Sequence, residues 1–143
     1  MMNTLMKIAA VAILLTITVG CCNCRAFQKK NHQPLIGTEW QLIQLGEQQM
    51  TPTQDKFNFT LGADQRVSGI GACNRLMGSY TTGEKNAIKF GPFASTRMAC
   101  PDLDKEAAFT QALESVTRYD MDGSMLLLLD GETLKAVFQA KAQ

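Results

Sequence analysis

Two cysteine-containing stretches constrain the fold of this chain more than any other feature. In the first, residues 69–75 (GIGACNR), a glycine-punctuated strand runs into Cys73. The second, residues 96–100 (TRMAC), delivers Cys100 just before a predicted helix. Reactive sites often combine glycine, cysteine and arginine. Whether these two stretches form such a site therefore depends on whether the rest of the chain supplies a catalytic base.

The first 20 residues predict a targeting segment. Lys7 is their one charged residue, and residues 8–19 form an uncharged, mostly apolar run. A run of about a dozen residues matches the core of a signal peptide and is shorter than the roughly 17–25 residues of a membrane-spanning helix. Residues 18–21 (TVGC) resemble a bacterial lipobox, although threonine stands where leucine is usual. Residues 1–20 are therefore interpreted as a lipoprotein signal peptide and Cys21 as the lipidated residue, with plain secretion as the alternative.

Lipidation of Cys21 would hold the mature chain on a membrane without a spanning segment. Residues 21–34 are polar and bury too little to repay their ordering, so they predict a tether between the anchor and the domain. Export also places the thiols in an oxidising compartment. Three of the five cysteines lie in the tether, and we therefore expect a disulfide between Cys73 and Cys100.

Charge and motif content exclude several classes of function. Loss of Lys7 with the signal peptide reduces 14 basic residues to 13, equal to the 13 acidic residues, so no net field attracts nucleic acid. The one histidine, His32, lies in the tether, which leaves no base for Ser-His or Cys-His catalysis and no ligand set for zinc. With no cofactor-binding motif either, we expect no catalysis, no metal and no cofactor. The rival enzyme hypothesis, a carboxylate hydrolase, rests on residues interpreted here as helix-start and turn acids: Asp102, Asp104, Glu106, Asp120 and Asp122.

The remaining residues, 35–143, carry alternating strand and helix signals that predict one α+β domain. Residues 57–61 alternate apolar with polar side chains, the period of a strand that is buried on one face. A helix is predicted after Pro101. Two Asp-Gly turns flank the apolar strand of residues 124–129, a pattern typical of an antiparallel meander. The helix has one apolar stripe for packing on the sheet, formed by Phe109, Leu113 and Val116.

The order of the motifs resembles the META domain of the HslJ-like heat-shock lipoprotein family. The resemblance spans most of the mature chain and rests on residues 37–42 (GTEWQL), 69–75 and 95–100 (STRMAC). It implies a strongly curved antiparallel sheet, similar to a cracked barrel, packed on one α-helix. It also implies an association with the bacterial envelope, stress and antibiotic tolerance, without a defined biochemical activity.

The residues of these motifs also have physical interpretations of their own. Glycines in the strands predict bulges or close backbone approach, and Asn74 suits a left-handed turn position. Arg75 and Arg97 are interpreted either as structural hydrogen-bond donors or as a recognition surface. Asn74, Arg75 and Arg97 are therefore the candidate recognition residues.

The leading functional hypothesis is a lipoprotein, held on the outer membrane by Cys21, whose domain binds another envelope protein. The alternative is a binder of a lipid or small hydrophobic ligand, because a cracked barrel can open along its seam. The candidate lining of that ligand site comprises Met77, Phe90, Phe93 and Met98.

Overall fold

The fold was obtained as a computed structural model, which describes residues 32–53 and 55–142. The predicted signal peptide, Cys21 and most of the tether lie outside these residues. Within them, no helix is long and apolar enough to cross a membrane. The described elements, in chain order, are β1 (Glu39–Leu45), β2 (Gln48–Gln49), β3 (Asn58–Leu61), β4 (Arg66–Ile70), β5 (Arg75–Thr82), a 3-10 turn (Glu84–Asn86), β6 (Ile88–Phe90), β7 (Ala94–Ser95), α1 (Leu103–Glu114), β8 (Arg118–Asp122), β9 (Met125–Asp130) and β10 (Thr133–Ala140).

The strands form one antiparallel sheet that curves almost into a barrel. Its order is β6-β5-β4-β3-β1-β10-β9-β8, with β2 added beside β1 and β7 beside β5. The two ends meet where the Ile88 amide donates to the Thr117 carbonyl at 3.1 Å and where Ala87 bridges Arg118. This architecture confirms the predicted α+β fold, a strongly curved antiparallel sheet with one described helix.

Helix α1 packs its apolar stripe into the barrel. Phe109 and Leu113 have no exposed surface, and the Phe109 ring lies 5.6 Å from that of Phe57 and 6.1 Å from that of Phe138. Val116, the third predicted stripe residue, is buried just beyond the helix end. Full burial of each such side chain contributes about 1.5–3 kcal/mol, so this stripe fixes the helix against the sheet.

Turn chemistry and backbone irregularities set the curvature. Gly123 and Gly131 adopt φ of 61° and 58° in the two predicted Asp-Gly turns, a region that costs glycine little. The register shifts by one residue in β1 between Leu42 and Gln44 and in β10 between Leu134 and Ala136. Such bulges increase strand twist and bend a sheet toward closure.

Candidate functional site

The two cysteine stretches meet at one corner of the barrel. The structure contains the predicted disulfide between Cys73 and Cys100, whose Cα atoms are 6.4 Å apart. The bond joins the connection between β4 and β5 to the segment that precedes α1. Residues 96–100, which we call the 96–100 loop, are thereby fixed at one end.

The Asn74 side chain fixes the middle of the 96–100 loop. Its Oδ1 accepts from the Thr96 hydroxyl at 2.9 Å and from the Met98 amide at 2.6 Å. Its Nδ2 donates to the Met98 carbonyl at 3.2 Å and to Glu106 Oε1 at 2.7 Å. Asn74 is only 1 % exposed, and these four bonds use both of its amide hydrogens and both acceptor positions.

Glu106 supplies a buried negative charge beneath the same connection. Its Oε2 accepts from the amides of Cys73 at 3.2 Å and Asn74 at 3.1 Å, and the side chain is buried. Burial raises the pKa of Glu106, but the hydrogen bonds from the Asn74 side chain and from the backbone of residues 72–74 outweigh it. The net pKa is lower than usual. The carboxylate is therefore ionised and serves to hold the backbone.

Glu106 lies in the first turn of α1, as predicted, but it is also buried and does more than complement the helix dipole. Glu106 precedes Phe109 by three residues and Leu113 by seven, which places all three on the buried face of α1. That spacing is the sequence signal that would have identified it. Its charge is tolerated there because the neighbouring loop supplies hydrogen-bond donors.

Glycines make room for these contacts. A Cβ at Gly71 would lie 2.6 Å from Glu106 Cγ and Oε2, and a Cβ at Gly69 would overlap the Asn58 carbonyl oxygen. A Cβ at Gly78 would lie 3.3 Å from the Phe93 ring. The predicted close backbone approach is confirmed at Gly69 and Gly71, whereas the register shifts lie in β1 and β10.

The left-handed residue in this corner is Arg97, and the prediction of that conformation for Asn74 was wrong. Arg97 has φ of 56°, and its amide donates to Ser95 Oγ at 3.2 Å. Asn74 holds both the amide and the carbonyl of Met98. Asn74 also accepts from the Thr96 hydroxyl, so its bonds fix the residues on both sides of Arg97. The strained φ lies between these two contacts.

Three exposed side chains project from this corner. The side chains of Arg75 and Arg97 make no hydrogen bond or ion pair with any residue in the described part of the chain. The Arg75 backbone, by contrast, is bonded to Thr96: its amide donates to the Thr96 hydroxyl at 3.2 Å, and its carbonyl accepts from the Thr96 amide at 3.3 Å. Met98 is 57 % exposed. The arginine side chains are therefore not structural hydrogen-bond donors within the described residues, which leaves the other interpretation, a recognition surface.

The other carboxylates proposed for hydrolysis lie on separate elements. Asp102 and Asp104 are at the start of α1, whereas Asp120 and Asp122 are on β8. The hydrogen bond and charge of Lys105, 3.1 Å away, lower the pKa of Asp102. Within the described residues, no cluster of three or more His, Cys, Asp or Glu side chains could hold a metal ion.

The residues suggested for a ligand site inside the barrel are divided between core and surface. Phe90 is 7 % exposed, whereas Met77 and Met98 are 59 % and 57 % exposed. The Phe90 and Phe93 rings stack at 6.1 Å. These four side chains therefore do not line one enclosed site.

Fold and site together define a class of protein: a nearly closed antiparallel barrel around one described helix, with one corner held by a disulfide and a buried carboxylate. A family model described as the META domain matches residues 33–143. The chain belongs to the META domain family.

Solved structures share this fold. A DUF4847 family protein from Bacteroides vulgatus is 18 % identical with a TM-score of 0.58, over 76 % of this chain and 96 % of that chain. A protein from Burkholderia xenovorans, solved by NMR, is 26 % identical with a TM-score of 0.59, over 82 % of this chain and 88 % of that chain. A search of curated proteins gave no match.

Proposed function

We propose that this protein is a bacterial envelope lipoprotein, anchored at Cys21 on the outer membrane, whose META domain binds another envelope protein without catalysis. In this proposal the protein contributes to stress or antibiotic tolerance through that contact. The lipobox-like residues 18–21 support the anchor. The arrangement of the 96–100 loop supports the binding role.

The single observation that carries the binding role is the way Asn74 holds the loop. The polar groups beneath the loop are consumed by internal hydrogen bonds, so they offer neither a nucleophile nor a base to a substrate. Arg97 and Met98 point their exposed side chains outward from a fixed backbone. A pre-ordered loop loses little conformational entropy when a partner binds, which is the property expected of a recognition surface.

The anchor is tested by metabolic labelling of the full chain with a radioactive or clickable palmitate analogue. We expect label on the wild-type protein and on Cys22→Ser, and none on Cys21→Ser. Separation of inner and outer membranes should then recover the labelled protein in the outer-membrane fraction. Label that persists on Cys21→Ser would refute lipidation at that residue.

The binding role is tested with a photo-crosslinking amino acid placed in living cells at exposed positions on different sides of the domain. Suitable positions are Met77, Arg97, Glu84 and Asp122. We expect the same partner protein to be crosslinked in repeated experiments from at least one position. If no position gives a reproducible protein adduct, the protein-binding role is refuted.

A further inference from the structure

The outer face of β3, β4 and β5 carries a shallow depression beside the arginine corner. Two adjoining grooves of about 340 and 610 Å³ lie on this face. They share Thr60, Ser68 and Met77 in their linings, so together they cross the three strands as one surface. We call this surface the outer groove.

Met77 is the apolar centre of the outer groove. It pairs with Ser68 of β4 on one side and Ala94 of β7 on the other, and both neighbours are too small to cover it. Its side chain is consequently 59 % exposed. Methionine is flexible and polarisable, so it adapts to an apolar side chain of a partner.

The charged side chains that line the outer groove are Arg75, Arg66, Asp64 and Glu39, and within the described residues Arg75 is the one of these four without an ion pair. Arg75 lines the groove, and its backbone is bonded to Thr96, the residue next to Arg97. The other three are paired: Arg66 lies 3.9 Å from Asp64, and Glu39 lies 2.9 Å from Lys141. The two arginines at the corner have no such partner among the described residues. A planar guanidinium pairs best with a carboxylate, because the two groups can form parallel hydrogen bonds.

We propose that the outer groove binds an extended acidic segment of the partner protein. One or more carboxylates of the segment pair with Arg75 and Arg97, and an apolar side chain of the segment packs on Met77. This inference rests on the protein-binding role proposed above and adds the surface and the chemistry of the partner. Acidic lipid headgroups are the competing anion, and the test distinguishes them.

The test uses the full chain, purified in detergent, as bait for a phage-displayed library of random 12-residue peptides. We expect the selected peptides to be enriched in Asp and Glu next to an aliphatic residue. Synthetic versions of these peptides are then titrated against wild type and variants. Because Arg75→Gln/Arg97→Gln removes two exposed charge-assisted contacts, it should weaken peptide binding about tenfold.

A charge-matched control is available at the other side of β5. Lys85 and Lys89 are exposed and form no ion pair with any residue in the part of the chain that the structure describes. Lys85→Gln/Lys89→Gln removes the same net charge. We expect this control to change peptide affinity less than about twofold, since distant exposed charges are screened. Circular dichroism melts should show that both double variants remain folded.

Three results would overturn the inference. The first is selection of no peptides, or of peptides without acidic enrichment. The second is equal affinity of wild type and Arg75→Gln/Arg97→Gln for the peptides. The third is arginine-dependent binding to phosphatidylglycerol vesicles in the absence of peptide binding, which would identify a lipid surface. If a crosslinked partner binds Arg75→Gln/Arg97→Gln as tightly as wild type, the outer groove is not the binding surface, but the protein-binding role still stands.

Discussion

Replacement of Glu106 by glutamine tests whether the buried carboxylate holds the cysteine corner together. A glutamine has the same shape, and its one oxygen can still accept from the amides of Cys73 and Asn74. Its amide group, however, would face Asn74 Nδ2, which now donates to Glu106 Oε1 at 2.7 Å. Two donors would then be in contact. Asn74 cannot rotate its amide to relieve this, because its oxygen accepts from Thr96 and Met98.

The expected loss follows from the hydrogen bonds removed. One buried, charge-assisted bond disappears and one buried donor is left without an acceptor, so Glu106→Gln should lower the free energy of unfolding by about 2–3 kcal/mol. For a domain of this size that corresponds to a melting temperature lower by about 10 °C. Chemical denaturation monitored by Trp40 fluorescence measures the free energy, and calorimetry measures the midpoint.

The pH dependence gives a second, independent readout of the same carboxylate. Because the pKa of Glu106 is lowered in the folded protein, its contribution to stability is fully present above about pH 4.3, the ordinary pKa of glutamate. That contribution is lost as the pH falls through the lower folded pKa. Glutamine does not titrate, so the difference in stability between wild type and Glu106→Gln should shrink below about pH 4.3.

Glu114→Gln is the matched control, since it makes the same substitution on the same helix. Glu114 is exposed and accepts one hydrogen bond, from the Phe93 amide at 3.1 Å, which glutamine can also accept. Its effect should stay within about 0.5 kcal/mol. If Glu106→Gln is as mild as this control, or if its effect does not depend on pH, the carboxylate does not hold the corner.

Three further predictions concern the same region. Replacing Cys73 and Cys100 by serine opens a loop of 28 residues, given their separation of 27. The free energy of unfolding should fall by about 3.5 kcal/mol in denaturant titrations, and a loss below about 1 kcal/mol would show that the disulfide contributes little. Gly69→Ala should destabilise by about 3 kcal/mol, because the new Cβ overlaps a backbone carbonyl that cannot move aside, whereas Gly83→Ala, with its nearest contact at 3.5 Å, should be nearly neutral in the same titration. Arg97→Gly should leave stability unchanged or raise it by up to about 1 kcal/mol, since glycine accepts positive φ, and a melting temperature several degrees lower would contradict the strain assigned to that residue.

The parts of the fold that could be predicted are those that have a short-range pattern in the sequence. The period-two alternation of residues 57–61 marked β3, and the Asp-Gly turns marked the meander of β8, β9 and β10. The two-residue strands β2 and β7 have no such pattern, because they are too short for any periodicity. They form because β1 and β5 present free backbone groups beside them.

The parts of the site that could not be predicted depend on contacts between distant residues. Asn74 and Glu106 are 32 residues apart, and neither residue type indicates by itself that the other will be its partner. Asparagine is common in left-handed turns, so the backbone role was the natural expectation for Asn74. Its side chain instead accepts from Thr96 and Met98, and the left-handed conformation lies at Arg97 between them.

The polar network beneath the 96–100 loop therefore does more to set a conformation than to maximise stability. A buried polar network stabilises little compared with apolar packing of the same volume, even when every member is satisfied. An apolar pair at positions 74 and 106 could fill the same space, but it could not bind the amide and the carbonyl of Met98 at once. That double contact, together with the bond from the Thr96 hydroxyl, fixes the residues on either side of Arg97. The network, the disulfide and the strained residue act together on one outcome, the fixed position of an unpaired arginine beside the outer groove. For this reason, removal of the Arg97 side chain should have opposite effects on stability and on recognition. Relief of the strain preserves or raises the stability of the domain, whereas loss of the charge weakens binding of the partner.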